Sequence, residues 1–182
     1  MRGTTHAVIG ANTVWIPVLC NVPVFPWFIL IGAFAALLPD LDASESKIKH
    51  LSLSGYIGKM RIRIKPFAPL SMIFSRLFGH RGALHSLTVV VIVAVATSFL
   101  IPYTSVVTWY LFIFGYASHL VADACTRSGI ELFWPFKNRF RFFPKILRIR
   151  TGGMVDSLLL ILGTGGIIIF LYSTIDSIDS FF

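Results

Sequence analysis

The chain has 182 residues, 55% of them hydrophobic, and carries 16 Lys and Arg against 8 Asp and Glu for a formal charge of +8. A mean hydropathy of +0.79 lies well above that of a soluble domain, where roughly 45–50% of residues are apolar, and excludes an ordinary water-soluble fold. In such a chain the positive charge points to anionic lipid head groups, and a nucleic-acid partner is not expected.

In chain order, Thr5 to Leu19 and Val24 to Leu38 form the first two apolar stretches, joined by a polar, proline-marked turn at Cys20, Asn21, Val22 and Pro23. They read as a helical hairpin, spanning or partly re-entrant, and the first is expected to be retained and not cleaved as a signal peptide. A basic segment follows, residues 43–82, with Lys47, Lys49, Lys59, Arg61, Arg63, Lys65, Arg76 and Arg81. Within it Gly55 to Phe78 mixes cations with Ile and Phe and is interrupted by Pro66 and Pro69, the pattern of a broken amphipathic element on the membrane surface. Ala83 to Ile101, Ser105 to Ala122 and Val155 to Ile175 each approach the roughly 20 apolar residues needed to cross a bilayer core. Between the last two lies a second basic segment, 127–150, in which Arg and Lys alternate with Phe133, Trp134, Phe136, Phe140, Phe142 and Phe143. It reads as a solvated, lipid-facing surface, with phosphate recognition as a sharper alternative.

The expected architecture is therefore all-α: a single domain, residues 1–182, with about five transmembrane helices. With Arg2, the two basic segments account for every Lys and Arg, and the opposite connections hold none. The positive-inside rule then places the protein in a prokaryotic cytoplasmic membrane with its N-terminus cytoplasmic and its C-terminus outside. Trp27, Tyr103 and Trp109 fall at the outer boundary, where aromatic rings prefer the head-group level. Cys20 and Cys125 fall at opposite ends of the spans, too far apart for a disulfide. No feature specifies an oligomeric state.

Ionisable groups at a membrane are costly, so their placement is informative. His6 opens the first helix, Asp40 and Asp42 close the second, and His80 and His85 precede the third. His119 and Asp123 close the fourth, and Asp156 opens the fifth. With up-and-down connectivity all of these ends lie on one side, in one layer. His119 and Asp123 are spaced i, i+4 and share a helix face, which suits either a divalent metal or an internal hydrogen-bonded pair. The carboxylates of Leu-Pro-Asp-Leu-Asp suit Mg²⁺ or Mn²⁺ as well as Zn²⁺, or an ordinary helix end at the aqueous boundary. His80 and His85 are five apart, about 140° around a regular helix, so Gly79 and Gly82 are expected to leave His80 and Arg81 in a loop folded back over the site.

Several ordered motifs carry a resemblance: His6 near the N-terminus, Leu-Pro-Asp-Leu-Asp at 38–42, Gly-His-Arg-Gly-Ala-Leu-His-Ser at 79–86, Ser-His-Leu-Val-Ala-Asp at 118–123, Thr-Arg-Ser-Gly-Ile-Glu-Leu-Phe-Trp-Pro at 126–135 and Arg-Thr-Gly-Gly at 150–153. Together they resemble the LexA-regulated, membrane-bound metal-dependent hydrolase family of bacteria and archaea. The chain departs from that pattern at Ala43, where the family usually has His, and at Asp156, where it usually has Glu. The resemblance implies a divalent metal, Zn²⁺ first and Mn²⁺ or Mg²⁺ as alternatives. The expected ligands are His6, Asp40, His85, His119 and Asp123, with Asp42 and Asp156 as ligands of a second metal or supports of the first.

Metal-activated water would then hydrolyse a phosphoester of a membrane lipid or similar amphiphile. His80 would act as general acid or base, and Arg81 would hold a phosphate oxygen. The rival is a metal or proton transporter, or a non-catalytic membrane protein with a structural metal. The segregation of cations makes the orientation testable in a chain whose native Cys20 and Cys125 have been replaced. Cysteines introduced in 43–78 should be protected from an impermeant thiol reagent in intact cells, and one near residue 180 should react. The reverse labelling would invert the topology.

Overall fold

The computed structural model describes residues 1–42, 53–57, 60–64 and 83–179. Every apolar stretch is helical. The first begins as α1, Gly3–Ala11, passes through a 3-10 turn, Asn12–Val14, and ends as α2, Trp15–Leu19. The junction residues Ala11 and Val14 keep right-handed helical dihedrals, so the three pieces form one rod. Pro17 accounts for the tightened middle: it lacks an N–H, and its ring presses on the carbonyl four residues back, that of Thr13. Helix α3, Phe28–Ala35, starts only after Pro23 and Pro26 and leads into a 3-10 turn at Pro39–Asp42.

A second 3-10 turn, Ala83–His85, feeds α4, Leu87–Ser98, whose first turn is capped by Ser86 accepting from the Val89 N–H at 3.2 Å. Ser105 caps α5, Val106–Ala124, in the same way, accepting from the Thr108 N–H at 3.0 Å. The last helix, α6, runs Met154–Asp179. Side-chain caps at both starts satisfy amides that lipid could not.

The expectation of about five spanning helices is corrected. Among the described residues two helices are long and apolar enough to cross a membrane, Val106–Ala124 and Met154–Asp176, with mean hydropathies of 1.2 and 2.2. The reason lies in the breakers: Pro17 divides the first stretch, Pro23 and Pro26 shorten the second, and α4 stops at Ser98 ahead of Pro102. The basic segment also differs from a membrane-surface amphipathic element where it is described. Leu53–Ile57 and Met60–Ile64 pair as an antiparallel ribbon, Leu53 opposite Ile64 and Ile57 opposite Met60. Met-Arg-Ile-Arg-Ile alternates with period two, a strand signal that outweighs helical amphipathicity over so short a run. The remainder of that element, including Pro66 and Pro69, lies outside the described residues.

Three helices, α1, α3 and α5, pack directly on one another, and glycines set their distance. A Cβ placed on Gly10 would clash with the Gly32 carbonyl and the Ala36 side chain, and one on Gly32 would clash with the Gly10 carbonyl. A Cβ on Gly115 would stand 2.6 Å from the Gly32 carbonyl oxygen. Gly10, Gly32 and Gly115 thus bring three backbones into contact, the usual device where lipid offers no hydrophobic drive between helices. Helix α6 docks on α1 through Asn12, whose Nδ2 donates to the carbonyls of Val8 and Gly163, both at 2.8 Å. Farther along, Val14, Phe28, Leu111 and Phe170 form a buried apolar cluster. The outer face of α6 leaves Ile161, Leu162, Ile168 and Ile169 exposed, as a lipid-facing helix requires.

The glycine contacts make opposite forecasts for two substitutions. Gly32→Leu should cost at least the roughly 1–3 kcal/mol of an overpacked core and lower the thermal unfolding midpoint in detergent, because backbone and not a movable side chain meets the new atoms. Gly165→Ala, whose Cβ meets nothing within 4 Å, should leave the midpoint unchanged or raise it slightly. Equal effects would refute the close-packing argument.

Candidate metal centre

The chain path dictates where the polar residues go. Helix α1 begins, α3 ends, α4 begins and α5 ends at the same edge of the bundle, so His6, Asp40, His85 and the His119 and Asp123 pair meet there although up to 117 residues separate them. His85 sits on the 3-10 turn before α4, and Tyr116 of α5 anchors that turn by donating to the Leu84 carbonyl at 2.8 Å.

The ligand atoms converge closely. His85 Nε2 and His119 Nε2 are 3.2 Å apart. Asp40 Oδ1 lies 3.6 Å from the first and 3.7 Å from the second, and Asp123 Oδ2 lies 3.9 and 3.7 Å from the same two atoms. A tetrahedral ion with bonds of about 2.1 Å has ligand-to-ligand edges of about 3.4 Å, which these distances bracket. On the other side of the same carboxylate, Asp123 Oδ1 lies 3.1 Å from His6 Nε2 and 2.7 Å from the amino group of Met1. The rings of His6 and His119 stack with centroids 3.8 Å apart.

One tautomer is fixed. The His119 Nδ1–H donates to the Ala36 carbonyl at 2.7 Å, which leaves Nε2 as a bare lone pair aimed at the cluster. His6, His85, His119 and Asp123 are buried, and the Nδ1 atoms of His6 and His85 have no hydrogen-bond partner among the described residues. Asp40 is the open edge, its side chain 24% exposed. Burial pushes its carboxyl up, but the hydrogen bond with His85 and the electrostatic pull of the His119, His85 and His6 rings around it outweigh this and hold it below the ordinary carboxylate value. It is an anion at neutral pH, the form that binds a cation. Imidazole nitrogens and carboxylate oxygens crowded at these spacings, with the His119 lone pair turned inward, fit a divalent metal. The mixed nitrogen and oxygen set favours Zn²⁺ or Mn²⁺ over Mg²⁺.

Other expectations fall differently. Asp156 is fully buried but stands apart from the cluster. Its Oδ2 accepts from the Gly152 N–H at 2.7 Å, the Arg2 Nε at 3.2 Å and the Arg2 N–H at 3.4 Å. As the third residue of α6 it reaches back to the chain before the helix and clasps the start of α1, the place of a residue that supports the position of His6 from outside the cluster. Gly152, at φ +73°, takes a conformation that a side chain would oppose. Asp42 lies on the same 3-10 turn as Asp40, but its side chain is outside the described residues, as are His80 and Arg81.

Sequence reasoning missed the Ala36 carbonyl, because a backbone acceptor leaves no residue-type signal, and the Met1 amino group. It also missed Arg2 as the partner of Asp156. A lone cation beside the first helix and a lone acid opening the last were the available hint.

The second basic segment closes over this end of the bundle. The Leu87 N–H donates to the Leu132 carbonyl at 2.8 Å, and Thr88 Oγ1 donates to the Trp134 carbonyl at 3.0 Å. Ile130 joins a buried cluster with Val90, Tyr116, Leu120 and Ala124. Its motifs therefore brace the cluster without contributing a ligand.

Because five side chains share one cluster, removing a central one should empty it. His119→Ala or Asp123→Ala should sharply reduce the divalent metal that copurifies with the protein, measured by elemental mass spectrometry against protein concentration. Stoichiometric metal in the double variant would remove the centre.

Against known proteins, the profile of the YdjM inner membrane protein family matches residues 1–177. YvsG of Bacillus subtilis, itself called uncharacterized, is 34% identical over 129 residues, covering 71% of this chain and 68% of its own. The inner membrane protein YdjM of Escherichia coli and that of Shigella flexneri are each 33% identical over 145 residues. These matches cover 74% of this chain and 62% of each relative, so the chain spans less than two thirds of their length. No solved structure matches. With the motifs, the exposed apolar helix and the profile all in agreement over nearly its full length, the chain belongs to the YdjM inner membrane protein family.

Proposed function

We propose that this protein is a membrane-bound metal-dependent hydrolase acting on a phosphoester of an anionic membrane lipid or similar amphiphile. The observation that carries the proposal is the convergence of three imidazoles and two carboxylates from four parts of the chain, with Asp40 left partly exposed as a way in. A structural metal is normally closed by protein ligands, whereas a hydrolytic one keeps a position open to water or substrate. A divalent cation bound there supplies Lewis acidity and lowers the pKa of water from 15.7 toward about 7.

The chain's own groups do the rest. Asp40, His85, His119 and Asp123 hold and orient the cation. His80 and Arg81, which precede His85 by five and four residues, are assigned proton transfer and capture of a phosphate oxygen. Basic residues on both long connections would concentrate anionic lipid at that edge. In this reading the N-terminus and the cluster lie on the cytoplasmic side, where the basic connections collect. Transport is the less favoured reading: coupling sites lie near the bilayer midplane, and α5 from Val106 to Ser118 carries no acid, base or histidine.

The test is hydrolysis by the purified protein in detergent with phospholipid and lipid-phosphate substrates and Zn²⁺, Mn²⁺ or Mg²⁺ supplied. His80→Gln should retain fold and metal and lose about 10²- to 10⁴-fold in turnover, the usual worth of general acid–base catalysis. Arg81→Lys should weaken substrate binding, since the charge remains but the two-pronged hydrogen bond is lost. Undiminished turnover in His80→Gln would remove its role. No hydrolysis of any lipid phosphoester by the wild type would overturn the proposal.

A further inference from the structure

The two stacked histidines cannot serve one ion well. A metal lies in the plane of the imidazole it binds, along the Nε2 lone pair and about 2.1 Å from the nitrogen. The His6 and His119 rings are inclined by 19° with centroids 3.8 Å apart. Over a bond of about 2.1 Å that tilt changes the separation of the lone-pair ends by at most about 0.7 Å, too little to bring them to one point. His85 and His119 are arranged differently. Their planes meet at 67° and their Nε2 atoms are 3.2 Å apart, which allows both to point at one position.

Asp123 divides along the same line. Its Oδ2 faces His119 and His85, at 3.7 and 3.9 Å, and its Oδ1 faces His6 at 3.1 Å. Asp40 also has an oxygen within 4.8 Å of the ligand atoms of both His6 and His119. We infer that the cluster is a two-metal centre bridged by Asp123. One ion sits on His85, His119, Asp40 Oδ1 and Asp123 Oδ2, and the second sits on His6 and Asp123 Oδ1.

The spacing is compatible: two-metal hydrolytic sites hold their ions about 3.5–4 Å apart, and the nearly parallel rings that would each face one ion stand 3.8 Å apart at their centroids. The competing occupant of the second position is the Met1 ammonium, 2.7 Å from Asp123 Oδ1, which the second ion replaces at that oxygen. This inference rests on the metal-centre reading above and specifies the number of ions.

The experiment uses the full chain in detergent, stripped by chelation and reloaded with Mn²⁺ alone. Elemental analysis should give two ions per chain, and the electron paramagnetic resonance spectrum should show exchange coupling between them. His6→Ala should retain one ion and give the six-line spectrum of isolated Mn²⁺. His6→Gln serves the same purpose should the alanine variant fail to fold, with a thermal melt as the check. One ion per chain in the wild type, or two without coupling, overturns the inference. The outcomes separate from those of the hydrolase proposal: a single ion with lipid phosphoester turnover refutes only the two-metal centre, and two coupled ions without turnover refute only the hydrolase.

Discussion

The burial of ionisable side chains at one end of an apolar helical bundle is the constraint on which the structure turns. A charge withdrawn from water costs several kcal/mol unless a partner compensates it. Asp123 meets this demand on both oxygens, facing His6 and the Met1 amino group on one side and His119 and His85 on the other. No single helix supplies enough groups for such compensation. The fold must therefore bring α1, the end of α3, the turn before α4 and the end of α5 to one place, and the layout of the chain follows from that need.

Close approach of backbones makes the meeting possible. With Gly32 meeting Gly10 on one side and Gly115 on the other, α1, α3 and α5 lie nearer than side-chain packing would permit. Two consequences reach the cluster. The Ala36 carbonyl, just past the end of α3, comes within 2.7 Å of His119 Nδ1 and selects its tautomer. The first turn of α1 lies close enough to α5 for His6 to stack on His119. A helical bundle held by large apolar side chains would place the same residues too far apart to share an ion.

The long connection between α5 and α6 works in the same direction from outside. It closes against the start of α4 through backbone carbonyls of Leu132 and Trp134, and its end positions Asp156 to hold Arg2 and with it the start of α1. Its motif residues thus act as a frame. That explains why a segment rich in Arg and Phe contains conformationally special positions such as Gly129, at φ +67°, and Gly152, at φ +73°, among the described residues.

The sequence by itself determined the class of protein, the positions of the apolar helices and the end at which the polar residues collect. Hydropathy and charge segregation act over whole segments, and up-and-down connectivity then leaves little freedom. His6, Asp40, His85, His119 and Asp123 were legible for that reason, each sitting at a helix end on the same side. The lengths of the helices were not, since the effect of Pro17, Pro23 and Pro26 depends on whether neighbouring elements compensate the broken backbone bonds.

Only the tertiary structure decided which polar residues touch. Asp156 and Asp123 are both acids at helix ends, yet one clasps Arg2 and Gly152 and the other joins the histidines. The difference arises from where α6 docks on α1, through Asn12 and Gly163, a contact between residues 151 apart in the chain. Ring stacking, carboxylate orientation and the acceptor at Ala36 are likewise set by interhelical distances of a few ångströms. Residue types and their spacing along a single helix carry no record of such distances, which follow from the packing of small residues between helices.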